Sequence, residues 1–210
     1  MSTIQESPPN LTGVGPPPPA GDVPYRFSAA TFGRMLDAEV FNDDARVELW
    51  DGQVYEKMAK TQAHAVAGNL ASLCLTRVLP GGWFPGGENP VAINQQRVPL
   101  PDLVVLRGTP KDYIDRRPEP ADVGLVVELS LSSLKDDVGT KLVGYAAAGI
   151  PAYWVVNLVA NLVLAFERPV PAEGRYESAQ TYAVGQSVPL RLDGALIAEI
   201  PAADLLPVRT

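Results

Sequence analysis

The stretch Leu125-Val126-Val127-Glu128-Leu129-Ser130-Leu131, a helical pattern over 134–148 and then Tyr153-Trp154-Val155-Val156-Asn157-Leu158 decide the fold. Two short apolar runs flanking one helix form a βαβ unit, whose strands are expected to be parallel neighbours joined by a right-handed crossover. The helix is expected to start at Ser132 or Ser133 and to stop at Gly149-Ile150-Pro151. The first strand carries an oddity. Glu128 sits inside its apolar run, and Pro101-Asp102 opens an earlier one, Leu103-Val104-Val105-Leu106. An ionised carboxylate buried without a partner costs roughly 4–7 kcal/mol. Something must compensate, and a shared divalent cation is the simplest candidate, because hard cations take oxygen ligands.

Working outward, Ser28 is placed to cap a short helix over 29–38. Arg46-Val47-Glu48-Leu49-Trp50, then Asp51-Gly52, then Gln53-Val54-Tyr55 reads as a hairpin with Asp-Gly at the turn. Residues 61–79 carry Ala63, Val66, Ala67, Leu70, Leu73, Cys74 and Val78 at helical spacing, ended by Pro80-Gly81-Gly82. Strands are expected over 83–94 and 97–107, and a loop over 111–122. After the βαβ unit come strands at 162–167, 176–182 and 188–192 and a closing strand and turn at 196–206. Helices and strands in this order predict an α/β fold: a mixed β-sheet flanked by helices, with extra β-hairpins.

Length and composition narrow the rest. With 210 residues, 46% of them hydrophobic, the chain suits one domain with a sizeable core. Residues 1–24, which include Pro8-Pro9 and Pro16-Pro17-Pro18-Pro19, read as a disordered proline-rich tail. Residues 25–210 then form the domain, with a core over 44–169 and a C-terminal β extension over 170–210. A single cysteine, Cys74, excludes an intramolecular disulfide and is expected in the core. No window approaches the ~18 apolar residues of a membrane span, and the N-terminus lacks the segments of a signal peptide, so the cytoplasm is the expected compartment. The net charge of −7 argues against a high-affinity, sequence-reading DNA-binding module. It is compatible with an enzyme whose phosphate binding is local and metal-assisted.

On the strand at 125–131, Val126, Glu128 and Ser130 share one face. On the helix, Asp137, Lys141 and Tyr145 follow at i, i+4 and i+8 and form one polar stripe. If the helix folds back beside its strand, Lys141 can point toward Glu128 and Asp102. A lysine near two carboxylates and a metal suits phosphodiester cleavage, in which the lysine stabilises developing charge or orients water.

The ordered set Glu48, Pro101-Asp102, Glu128 and Lys141 resembles the PD-(D/E)XK nuclease fold. More narrowly, the chain is similar to the Uma-two family of restriction-endonuclease-like proteins over about 25–169. The residues that carry this are Arg46-Val47-Glu48-Leu49-Trp50-Asp51-Gly52, His64, Pro101-Asp102, Val126-Val127-Glu128-Leu129-Ser130, Asp137 with Lys141 and Tyr145, and Gly149-Ile150-Pro151-Ala152-Tyr153-Trp154-Val155-Val156. The resemblance implies a Mg²⁺- or Mn²⁺-dependent endonuclease acting on nucleic acid, with DNA favoured. Asp102 and Glu128 would hold the metal, the backbone carbonyl of Leu129 would complete the site, and Glu48 would be an outer or second-metal carboxylate. Lys141 would be the catalytic lysine; His64, Ser130 and Tyr145 would support. The chain departs from the pattern twice. The motif's usual lysine position, two residues after the second acid, is Ser130, and Asn157 stands where the family usually has Asp.

Plainer roles compete at each position. Asp102 could simply open a strand, Glu128 could pair with Arg97, and Glu48 could be a hairpin charge. Lys141 could be a solvated helix lysine paired with Asp137, His64 a structural histidine, and Tyr145 a packing residue. Two other functions compete as well: a non-catalytic interaction protein derived from the nuclease fold, with the proline tail recruiting a partner, and a metal hydrolase of small phosphorylated compounds. A homodimer is expected on general grounds, with the apolar strands at 162–166 and 196–200 as candidate contacts.

Overall fold

The computed structural model describes residues 21–42 and 44–207. Most of the proline-rich segment expected to be a tail therefore lies outside the described residues. The expected βαβ unit is present: β5 (Val123–Ser130) and β6 (Ala152–Asn157) pair in parallel, Val126 opposite Tyr153 and Glu128 opposite Val155. They form the middle of a six-stranded sheet whose order follows the chain: β3 (Trp83–Gly87), β4 (Leu103–Arg107), β5, β6, β7 (Leu162–Val170) and β8 (Arg175–Ala183). Every other pairing in it is antiparallel.

Each face of the sheet is covered. The helix α2 (Gln62–Val78) lays Ala67, Ala71 and Leu75 against Leu103, Val105, Leu125, Val127 and Leu129. The hairpin of β9 (Ser187–Leu192) and β10 (Ala195–Pro201) packs Val188, Leu190 and Ile200 on the same side. On the opposite face, Tyr145, Ala146 and Ile150 pack on Val104, Val126, Tyr153 and Val155. Both β5 and β6 are buried along their whole length. That explains their unbroken apolar sequences, since a strand covered on both faces has no solvent side to alternate with.

A third, smaller cluster ties the early hairpin to the sheet. α1 (Ala29–Asp37), capped by the Ser28 hydroxyl, buries Phe32 against Val47 and Leu49 of β1 (Val47–Trp50). β1 pairs with β2 (Gln53–Glu56) across Asp51 and Gly52, whose φ values are +49° and +75°. Positive φ at both central residues is what a two-residue turn with the strand twist requires, and Asp-Gly supplies it cheaply. Leu49 and Val98 exchange backbone hydrogen bonds (3.0 and 2.8 Å), pinning the hairpin to the segment that leads into β4.

Two sequence expectations are corrected. The strands expected over 83–94 and 97–107 are shorter: β3 ends at Gly87 and β4 starts at Leu103. Pro90, Pro99 and Pro101 lack the N–H a ladder needs, and the intervening chain instead makes single bridges, Asn94 to Arg97 and Leu49 to Val98. The helix over 134–148 is not uniform. It consists of α3 (Leu134–Asp136), a π-helical turn at Asp137–Lys141 and α4 (Leu142–Ala147). Such wide turns are rare and concentrate at functional sites. Among the described residues no helix is long and apolar enough to cross a membrane.

Candidate active site

One step past the last ladder pairs of β4 and β5, Leu103 with Val127, the register brings Asp102 opposite Glu128. Two carboxylates facing each other across adjacent strands repel, and both are buried, at 5% and 1% exposure. The structure answers this with hydrogen bonds and cations drawn from five separate segments.

Asp102 Oδ2 accepts the Leu129 N–H (2.9 Å) just before the start of β4. The His64 Nε2, one turn into α2, lies 3.2 Å from the same oxygen, within hydrogen-bond range when that nitrogen carries the proton. Thr61 positions this end of the helix, its hydroxyl accepting the His64 N–H (3.3 Å). Asp102 Oδ1 faces the Lys57 ammonium (3.1 Å) and, farther off, the Arg46 guanidinium (3.5 Å), which also pairs with Glu88. Burial alone would raise the Asp102 pKa. The His64 hydrogen bond and the Lys57 charge outweigh it and hold the carboxyl well below the usual range.

Glu128 has a different shell. Tyr145 donates its hydroxyl proton to Oε1 (2.9 Å), while Oε2 faces the ammonium groups of Lys141 (3.1 Å) and Lys57 (3.5 Å). Lys141 also meets Asp137 Oδ1 (3.2 Å), and Ser133 donates to Asp137 Oδ2 (2.6 Å). Tyr153 donates to the Asp137 carbonyl (3.0 Å), anchoring the π turn to β6. Burial works against the charge of Lys141, but Glu128 and Asp137 outweigh it and raise its pKa, so the ammonium is retained. Burial pushes the Glu128 carboxyl up, against the pull of Lys141 and Lys57. Both values rise, which favours the charged lysine and opposes the charge of the more deeply enclosed glutamate, so Lys141 is the fixed cation of the pair.

The sequence-predicted residues thus fall as follows. Asp102, Glu128, Lys141, His64 and Tyr145 come together. Lys141 reaches Glu128 as expected but pairs with Asp137 rather than with Asp102; Lys57 is the lysine on Asp102. Glu48 is buried nearby and accepts the Leu100 N–H at Oε2 (3.2 Å), so it holds the approach to β4. Ser130 is buried and its hydroxyl has no partner among the described residues, and Leu129 contributes its backbone N–H while its side chain lies in the core. Arg97, the alternative partner for Glu128, instead pairs with Asp51 (2.6 Å) and lies over the Trp50 ring. Asn157 caps the turn into β7, accepting the Val159 and Ala160 N–H groups (3.1 and 2.9 Å).

Lys57 was not legible as a site residue. It follows β2 in a segment without regular structure, and nothing local distinguishes it from any surface lysine. Its Nζ donates to the Leu100 carbonyl (2.7 Å) and spans Asp102 and Glu128. Burial opposes its charge, but Glu128 and Asp102 prevail and raise its pKa. Asp137, on the polar stripe of the helix, is completely buried and anchors Lys141.

Glu48, Lys57, His64, Asp102, Glu128 and Lys141 line an open cleft of about 710 Å³, with Arg26, Arg46, Tyr55 and Met58 around it. Among the described residues no three His, Cys, Asp or Glu side chains form a ready-made metal cage. A small hard cation does not require one, since Mg²⁺ keeps several waters and takes one or two carboxylates. The residues fit such an ion: two carboxylates converge where a positive charge, that of Lys57, already bridges them.

The six-stranded mixed sheet flanked by helices, with its extra hairpins, belongs to the restriction-endonuclease-like class of α/β folds. Residues 29–198 match the family described as "Uma2: Putative restriction endonuclease", and the chain belongs to that family. Among solved structures it is similar to a "putative nuclease belonging to DUF820" from Anabaena variabilis, with a TM-score of 0.57 and 14% identity over 76% of this chain and 88% of that one. At that identity the likeness shows the fold. No curated protein matches the chain in sequence.

Proposed function

We propose that this protein is a Mg²⁺- or Mn²⁺-dependent endonuclease that hydrolyses phosphodiester bonds of nucleic acid, with DNA as the favoured substrate. The observation that carries the reading is the meeting of Asp102 and Glu128 at the floor of an open cleft, with two lysine ammonium groups on Glu128 Oε2. Family membership supports nuclease chemistry, and the family's description as a restriction endonuclease favours DNA.

Asp102 and Glu128 would hold the cation, with Glu48 and the Leu129 carbonyl as further ligands. The bound cation would neutralise phosphate charge and lower the pKa of a water. The protein's own groups supply the rest. Lys141, fixed by Asp137, is a preorganised positive charge for the oxyanion that develops on phosphorus. Tyr145 holds one Glu128 oxygen in place and leaves the other facing the cleft. His64 and the Leu129 N–H fix Asp102 in the same way. Arg26 and Arg46 place positive charge around the cleft despite the net charge of −7, so phosphate attraction is local rather than global.

Asp102→Asn, Glu128→Gln and Lys141→Ala are expected to abolish cleavage of plasmid and single-stranded DNA in Mg²⁺ or Mn²⁺ while circular dichroism shows intact folding. Mn²⁺ calorimetry is expected to lose its heat in the first two. Undiminished cleavage by folded Asp102→Asn would reject the assignment. An unmodified chain that binds no Mn²⁺ and cuts neither DNA nor RNA would favour the non-catalytic interaction protein.

A further inference from the structure

The two lysines on Glu128 are held very differently. Lys141 leaves a helix, is trapped between Glu128 and Asp137, and has no room to move without stranding a buried carboxylate. Lys57 leaves the irregular segment after β2, between Glu56 at the strand end and Met58, whose side chain is 82% exposed. Its stem is four flexible methylenes and its charge a compact point. The ammonium stands where the two carboxylates would share a metal, 3.1 Å from Asp102 and 3.5 Å from Glu128, steadied by the Leu100 carbonyl at 2.7 Å.

Two facing buried carboxylates are costly without a positive charge between them, and an oxygen pair held by an ammonium is not free for a metal. We propose that Lys57 is the resident counter-ion of the metal-free site, closing the gap between Asp102 and Glu128, and that it swings out into the cleft when a divalent cation enters. This rests on the metal-dependent reading above. Lys57 therefore competes with the metal while stabilising the empty protein, and Lys141 is the lysine that stays. After exchange the Lys57 ammonium lies in the cleft, where a substrate phosphate can receive it.

The test is Mn²⁺ calorimetry on the metal-stripped full chain, unmodified and as Lys57→Met, with thermal melts in chelator and in saturating Mn²⁺. If the lysine occupies the site about nine-tenths of the time, its removal tightens the apparent Kd about tenfold. Lys57→Met is thus expected to bind Mn²⁺ about tenfold more tightly, to melt lower than the unmodified chain in chelator, and to gain more from Mn²⁺. Should the methionine variant not fold, Lys57→Gln, which keeps a donor for the Leu100 carbonyl, carries the same expectation. Brief acetylation and peptide mapping of the unmodified chain read the same exchange, with Lys57 labelled faster when Mn²⁺ is present. Equal or weaker Mn²⁺ binding by a folded variant, or labelling indifferent to Mn²⁺, overturns the exchange and leaves the metal site standing. Absence of Mn²⁺ binding in both unmodified chain and variant overturns the exchange and the metal-dependent reading together.

Discussion

Replacing Lys141 by methionine keeps the length of the side chain and removes the charge that Glu128 and Asp137 share. The ammonium lies 3.1 Å from Glu128 Oε2 and 3.2 Å from Asp137 Oδ1. At an effective dielectric constant of about 20, each contact carries a gross attraction of about 5 kcal/mol. Most of that is offset by the desolvation of all three charges. What governs the variant is the cost of leaving buried carboxylates uncompensated, roughly 3–5 kcal/mol when one partner of a buried pair is removed. Tyr145 and Lys57 still serve Glu128 and Ser133 still serves Asp137, so the lower part of that range, about 3–4 kcal/mol, is expected. For a chain of this size the midpoint of thermal unfolding should fall by about 6–16 °C.

The assay is urea unfolding in chelator at about pH 8, followed by circular dichroism, on Lys141→Met, Asp137→Asn and the double variant. With Asp137 neutralised, the loss of Lys141 strands one carboxylate fewer. The double variant should therefore be about 1–3 kcal/mol more stable than the sum of the single losses implies. A Lys141→Met loss below about 1 kcal/mol, the value of an exposed pair, or strictly additive losses, would refute the placement of this lysine as a buried, shared cation.

Other variants probe the supports of the site. Adding a Cβ at Gly144 would bring it to 2.6 Å from Trp50 Cζ3, so Gly144→Ala should cost about 1–3 kcal/mol and push away the hairpin that carries Glu48; denaturant titration of Gly144→Ala beside Gly144→Ala/Trp50→Leu checks this, the second change restoring room. Gly139→Ala, whose Cβ would meet nothing within 4 Å, should change stability by less than about 0.5 kcal/mol, read from urea midpoints; a larger loss would count against the open position of this residue in the π turn. Because the folded Asp102 pKa lies below its ordinary value, its stabilisation is complete above about pH 4 and is lost as the pH falls through the folded value. Asp102→Asn should therefore show a shallower loss of stability on acidification below about pH 4, read from urea midpoints; an unchanged slope would count against the His64 and Lys57 contacts.

Much of this molecule is written locally. The hairpin turn at Asp51-Gly52, the cap at Ser28 and the apolar runs of β5 and β6 each follow from spacing and turn chemistry over a few residues. So does the conflict that marks the site, because a glutamate between Val127 and Leu129 demands compensation wherever the strand ends up. The short forms of β3 and β4 were less legible. Pro90, Pro99 and Pro101 hinted at them, but the choice to bridge Leu49 rather than extend the ladder depends on where the hairpin docks. The π turn gave no signal either, since Asp137 and Lys141 keep helical spacing in sequence whichever turn they adopt.

By itself, then, the sequence determined the order of helices and strands, the parallel βαβ centre and the identity of the acids that need partners, because periodicity and burial are properties of single segments. Which cations answer those acids was decided only in three dimensions. Lys57 meets Asp102 across 45 residues and Glu128 across 71, and a contact between segments that distant exists only once the hairpin, the loop before β4 and the central strands have packed, since an ion pair leaves no periodic trace in the chain that forms it.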